Sequence, residues 1–162
     1  GESNVLSSSM LYDCGKSLNP LIDCGQAEGG FVMGLGYFLR ERLLVDKDTG
    51  KMETDGTWEY KIPSFQDVPL NFDVEFFPRA HEGGISSSKA SGEPPLVLAT
   101  SAFCALRCAV AAAREQFGKG KEFFQMDAPF TPRDIALTIG AISDKTFFKE
   151  PADIIDPLLC GA

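Results

Sequence analysis

The sequence predicts an α+β fold, a mixed sheet with packed helices, and three observations carry the prediction. Apolar residues recur at spacings of three and four over 26–44 and again over 96–117, the periodicity of amphipathic helices. Between them LNFDVEFF, residues 70–77, alternates apolar and polar residues with period two, as a half-buried strand does. Glycine, proline and asparagine mark the joints, and the strands and helices mix along the chain as a layered structure.

Taken in order, residues 3–13 read as a strand, followed by the turn residues of CGKSLNPLID with Asn19-Pro20 as the clearest break. A helix is expected over 26–44, with Phe31, Leu35, Phe38 and Leu39 on one stripe and Arg40, Glu41 and Arg42 at its far end. Gly29, Gly30, Gly34 and Gly36 would each cost that helix up to about 1 kcal/mol relative to alanine. Either another backbone or a ligand approaches closely there, or the helix start is frayed. DKDTGKMETDG (46–56) reads as a hairpin-like loop and WEYKIPSF (58–65) as a strand. LNFDVEFF is the next strand, with Phe72, Val74 and Phe76 facing the core. PRAHEGG (78–84) is a loop and ISSS (85–88) a short strand. The helix over Leu96–Phe117 places Ala99, Ala102, Phe103, Leu106, Val110, Ala113 and Phe117 along one core stripe, and Gly118 and Gly120 end it. Thr131 as cap and Pro132 at the first helical position open a last helix through about Ile139. After Phe148 the tail is expected to be irregular, so the domain runs over 1–150 and the tail over 151–162.

Composition narrows the function. The 162 residues are 44% hydrophobic and 23% charged, the balance of a soluble protein with a real core. Fifteen basic against twenty-three acidic residues give a net charge of −8 without a basic cluster, which argues against nucleic acid and anionic membrane as partners. No apolar run was expected to reach the roughly 18 residues of a membrane span, and GESNVLSSSM lacks the build of a secretion signal, so a cytoplasmic location is the expectation. The start at glycine within strand-like sequence reads as a fragment of a longer chain.

Five cysteines, an odd number without CxxC spacing, read as reduced thiols rather than a disulfide or zinc framework. Cys104 and Cys108 share a helix face and read as small buried hydrophobes. His81, the one histidine, lies in a loop and reads as solvated, which leaves little for a Ser/His/Asp or Cys/His nucleophile system.

One local arrangement stands apart. In SSSKASGEPPLVLA, residues 86–99, Glu93 stands between Gly92 and the pair Pro94-Pro95 at the mouth of an apolar helix. The glycine allows a sharp turn, and the prolines suit a helix entrance because they have no amide to leave unpaired. Free amides at the helix start and a nearby Lys89 would favour the ionised carboxylate, which burial would oppose. Such a group is either a general base or, the ordinary reading of local chemistry, a solvated acidic residue at a helix entrance.

Three stretches occurring in order, LYDCGKSLNPLIDCGQAEGGFVMGLGYF, DGTWEYKIPSF and SSSKASGEPPLVLA, resemble the C-terminal molybdenum-cofactor domain of the xanthine dehydrogenase and aldehyde oxidase family. The resemblance covers roughly residues 5–117, and TWEYKIP and ISSSKASGEPPL look closer to the plant-like aldehyde oxidases than to the purine enzymes. It implies that this is a C-terminal fragment of a larger molybdopterin-binding domain. It also implies a molybdenum–molybdopterin cofactor here, with 2Fe-2S clusters and FAD elsewhere in a full-length, homodimeric parent. The substrate would be an aldehyde or an N-heterocycle, and water the oxygen source. Residue by residue, Gln26 would hydrogen-bond an oxygen-type ligand of the molybdenum without ligating the metal itself, its amide being a donor that adds no charge. The helix that Gln26 opens would present further amides to the anionic cofactor. Ser91 would lie in the loop that touches the cofactor, largely through backbone. Glu93 would be the base acting on a molybdenum-bound hydroxyl. Lys89 reads as a structural partner that orients the loop, or as a surface lysine. Because most of the site would lie in the rest of the parent enzyme, the fragment alone is expected to be inactive, and the alternative is a non-catalytic truncated piece or interaction module that binds no molybdenum.

Overall fold

The computed structural model describes residues 1–142 and the backbone of Ile154–Ile155. These residues group into two compact units. The first holds residues 4–35 and 63–103 and carries all three candidate site residues; the second holds 1–3, 36–62 and the chain from 104 onward.

The first unit is built on a parallel pair of strands, β1 (Ser7–Tyr12) and β3 (Asn71–Phe76), in register from Ser7 opposite Asn71 to Tyr12 opposite Phe76. The period-two alternation of β3 holds, with Phe72, Val74 and Phe76 half-buried and Asn71, Asp73 and Glu75 exposed. Helix α1 (Pro20–Leu39) lays Ala27, Phe31 and Leu35 inward, and the Phe31 ring lies 5.3 Å from that of Phe72. This helix begins six residues before the expected start at 26. Asn19-Pro20 is its cap and first turn rather than a break, since the Asn19 side chain accepts the Leu21 amide at 3.1 Å and proline needs no partner there.

Two expected strands are not formed. Within 58–65, the amides of Glu59 and Tyr60 turn back onto the Gly56 carbonyl, and Ser64 and Asp67 cap each other around a 3-10 turn at Phe65–Asp67. An alternating pattern interrupted by Pro63 therefore finds no ladder, and Trp58, Ile62 and Phe65 are exposed. ISSS likewise forms a 3-10 turn, Ile85–Ser87, with Ser86 and Ser87 both at positive φ, 52° and 64°.

The expected helix over 96–117 is two helices, α2 (Pro94–Leu98) and α3 (Thr100–Gln116), that meet at Ala99. Ala99, Leu106 and Val110 of the stripe are buried and Ala102, Phe103 and Ala113 half-buried, but Phe117 lies past the helix end and is 57% exposed. Cys104 and Cys108 are exposed rather than buried, because they lie off the Leu106–Val110 stripe. Taken through Ala99, Pro94–Gln116 is a 23-residue run long and apolar enough by length and composition to cross a membrane, with 17% of its most apolar window buried. The expectation that no run reaches that length is thereby corrected: Arg107 is the lone charge from Pro94 to Ala113, a tract rich in alanine.

In the second unit, α3 closes through Gly118 at φ 71°, with the Lys119 amide on the Arg114 carbonyl. The loop over 46–56 is hairpin-like as expected, with Glu53 donating to the Leu44 carbonyl and the Asp46 amide to that of Lys51. Short strands β2 (Val45–Asp46) and β4 (Ile154–Ile155) pair antiparallel; the rest of the tail expected to be irregular lies outside the described residues. Helix α4 (Pro132–Ile139) starts as expected at Thr131, where Asp134 Oδ2 accepts the Thr131 amide at 2.9 Å and its hydroxyl at 2.6 Å, and it ends at Gly140 in the left-handed region. The α+β reading holds.

Candidate functional site

Gln26, Gly30 and Gly34 are four residues apart on α1 and so form one stripe along the helix. What that stripe meets is the segment from Gly92 to Ala99. A β-carbon at position 30 would stand 2.9 Å from the Gly92 carbonyl oxygen and 3.2 Å from Pro95 Cβ, and one at position 34 would collide with the Leu96 carbonyl. Glycine at 30 and 34 is therefore explained by the close approach of another backbone. One turn earlier on the same stripe, Gln26 reaches Gly92: its carboxamide oxygen is 3.5 Å from where a β-carbon on that glycine would be.

Glu93 follows directly as the cap residue of α2, with φ −83° and ψ −39°. Its carboxylate makes no hydrogen bond to the helix it precedes. The reason is chemical: the next two residues are prolines without amides, and the Leu96 amide is taken by the backbone carbonyl of Glu93 at 3.1 Å. The expected support from free helix amides is therefore missing, and the exposed carboxylate is not consumed by capping. Pro95 is buried and pins the entrance of the helix. Ser91 is half-buried in the same turn. Thus the three residues named from sequence share one unit, and Gln26 and the Gly92-Glu93 turn come together within it.

Two expectations fail in instructive ways. Gln26 does not open its helix: α1 starts at Pro20, so Gln26 lies in the second turn, where backbone amides are paired along the helix. Lys89 does not sit on Glu93 either. Its ammonium bonds Asp13 Oδ2 at 2.7 Å, while the other oxygen of that carboxylate accepts the Gly15 amide at 2.9 Å. The Lys89 hydrogen bond, and after it the Gly15 amide, hold the Asp13 carboxyl below its ordinary range. Asp13 was missed in the sequence. The signal available was an aspartate two residues before a glycine at a strand end, the pattern of a side chain that closes its own turn.

The turn between them is strained. Ser86 and Ser87 occupy the left-handed region, which costs on the order of 1–2 kcal/mol for each residue with a β-carbon. The Ser87 carbonyl accepts the amides of both Lys16, at 2.8 Å, and His81, at 2.9 Å. A cleft of about 390 Å³ lined by Asp13, Arg79, His81, Glu82 and Lys89 opens beside it.

The surface around Gln26 is open. A β-carbon added at Gly25 or Gly29 on α1 would have nothing within 4 Å, and one at Gly92 would meet just the Gln26 amide. The backbone at Gly25, Gly29 and Gly92 is thus open to a ligand, and the exposed Glu93 follows directly on Gly92. Among the described residues no three His, Cys, Asp or Glu side chains gather to hold a metal ion.

Comparison with known proteins bears on these residues. Residues 1–69 match the model of a molybdopterin cofactor-binding domain. Over 135 residues, 81% of this chain, the sequence is 49% identical to probable aldehyde oxidase 3 of Oryza sativa subsp. japonica, and over 138 residues 49% identical to an indole-3-acetaldehyde oxidase of Zea mays. Abscisic-aldehyde oxidase of Arabidopsis thaliana is 48% identical over 116 residues. The chain spans about a tenth of the length of these curated relatives. Among solved structures, quinoline 2-oxidoreductase from Pseudomonas putida 86 matches 80% of this chain and 15% of its own with a TM-score of 0.57 and 26% identity. A carbon monoxide dehydrogenase from Oligotropha carboxidovorans, at 21% identity and a TM-score of 0.57 over 81% of this chain and 16% of its own, shares the fold.

Proposed function

We propose, from the premise that this chain is a relative of the xanthine dehydrogenase and aldehyde oxidase family, that it is part of a molybdenum hydroxylase in which Glu93 is the general base and Gln26 and the Ser91-Gly92 turn hold the cofactor. The observation that carries this reading is the approach of the Gln26 carboxamide to Gly92, which brings an uncharged amide to the turn that presents Glu93. The aldehyde oxidase names of the 46–49% identical relatives support an aldehyde as substrate; the quinoline enzyme keeps an N-heterocycle as the alternative.

When bound, the molybdenum–molybdopterin group supplies a two-electron acceptor beside the substrate. The residues of this chain do the rest of what can be assigned to it. Gln26 would donate through its amide to an oxygen of the group, and the turn at half-buried Ser91 would line its edge. Glu93 takes the proton from the water-derived hydroxyl that becomes the nucleophile and holds it on a carboxylate oxygen. Contact at about 2.6–3.2 Å is required for that transfer. Because no helix amide is bonded to the carboxylate, nothing in its own helix must be broken for it to accept a proton.

In this reading 2Fe-2S clusters and FAD lie elsewhere in a cytoplasmic, homodimeric parent. Since the chain spans a tenth of its relatives, a second reading is a non-catalytic fragment that binds no molybdenum. Metal analysis and aldehyde oxidation by the full-length protein, with Gln26→Ala beside it, separate the two. The proposal expects about one molybdenum per chain and weakened retention in the variant, by roughly 10-fold as for lost outer partners of metal sites; full-length protein without molybdenum contradicts it.

A further inference from the structure

We propose that Asp13 and Lys89 are positioning residues for Glu93, their ion pair fastening the strained Ser86-Ser87 turn to the end of β1 and so fixing where the chain from 90 to 93 departs. The inference rests on the reading of Glu93 as the base. Three contacts make the fastening. The Lys89 ammonium bonds Asp13 Oδ2 at 2.7 Å, and the Lys89 amide donates to the Cys14 carbonyl at 2.9 Å and the Lys16 amide to the Ser87 carbonyl at 2.8 Å, the two bonds that bridge Gly15 and Ser88 in antiparallel fashion. Gly15 is needed at this crossing, with φ at 67° and an added β-carbon falling 2.6 Å from the Ser87 carbonyl oxygen. Downstream, Gly92 and Pro95 are seated on the Gly30 face of α1. The segment that carries Glu93 is thus held on both sides, with Ala90 and Ser91 between the two fastenings.

The backbone bonds to Ser87 and Lys89 hold two serines in a conformation that residues with side chains avoid, so every tie from outside the turn counts. The Lys89–Asp13 pair is the side-chain tie: a charge pair joining residues 76 apart, each side chain a little over a third exposed. A pair so exposed contributes little to global stability, so its loss loosens the loop without unfolding the protein. Displacing a reacting group by about 1 Å can cost 100-fold in rate.

The test uses the full-length protein with Asp13→Asn, Lys89→Gln, Lys89→Arg and, as reference, Glu93→Gln. Measured are kcat, KM, molybdenum per chain and hydrogen exchange of the amides at 86–92. Expected for Asp13→Asn and Lys89→Gln is a fall in kcat of about 10- to 100-fold with KM changed less than about twofold, molybdenum retained, and faster exchange in the loop, while Lys89→Arg stays near wild type. Wild-type kcat and exchange in both neutral variants overturn the proposal. So does a fall accompanied by loss of molybdenum, or one shared equally by Lys89→Arg, because the damage is then general. Failure of the underlying reading looks different: Glu93→Gln itself would turn over normally, whereas the exchange rates still report whether the pair holds the loop.

Discussion

The carboxamide oxygen of Gln26 lies 3.5 Å from the place a β-carbon would take on Gly92, although the two residues belong to separate elements far apart in sequence. A β-carbon there would be in ordinary van der Waals contact with the amide. The approach is possible because α1 presents glycine at 30 and 34, one and two turns further along, so that the backbone of 92–99 can lie directly on the helix.

The glycines should therefore divide by surroundings. Gly34→Ala puts a methyl group against the Leu96 carbonyl and 2.5 Å from Ala99 Cβ, and is expected to destabilise the fold by about 1–3 kcal/mol. Gly29→Ala, on the same helix but with open space around it, is expected to stabilise the cofactor-free chain by roughly 0.5–1 kcal/mol. Denaturant unfolding of the two variants checks both signs.

Asp134 should matter more than a surface acid. One of its oxygens accepts the Thr131 amide and hydroxyl and also the Arg42 guanidinium at 2.9 Å. Asp134→Ala removes half of the capping box at the start of α4, and the expected loss is about 1–2 kcal/mol in thermal or denaturant unfolding.

Tyr60 should titrate late. Its hydroxyl donates to Glu41 Oε2 at 2.5 Å, and that bond, with burial second, pushes the phenol up to about 12. A raised value means the neutral phenol is favoured in the folded state, so this contribution to stability is fully present below pH about 10 and fades as pH rises through about 12. Phenolate absorbance should show a late step that Glu41→Gln moves down toward pH 10; an unchanged titration would count against the bond.

The turn that carries Glu93 was legible in the sequence because its parts are local. Gly92-Glu93-Pro94-Pro95 announces a turn into a helix, whereas the glycines at 29, 30, 34 and 36 left close approach and a frayed helix start both open. What was not legible depends on partners distant in the chain. Nothing near Lys89 shows that its charge goes to Asp13, 76 residues away, instead of to Glu93. WEYKIPSF alternates like a strand, yet alternation creates no ladder when Pro63 interrupts it and the Gly56 carbonyl captures the nearby amides. The helix start was misplaced because asparagine followed by proline marks a turn and a helix cap with the same two residues. Cys104 and Cys108 show the limit of a spacing argument: residues four apart share a face, but spacing does not say whether that face is covered.

The central claim is that Glu93 accepts the proton in turnover, and it is tested most directly by turnover per bound molybdenum in the full-length protein with Glu93→Gln. The account predicts that the metal content stays near that of wild type while kcat/KM falls by at least about 100- to 10,000-fold, because glutamine keeps the shape and cannot take the proton. Wild-type turnover per molybdenum in that variant would contradict it.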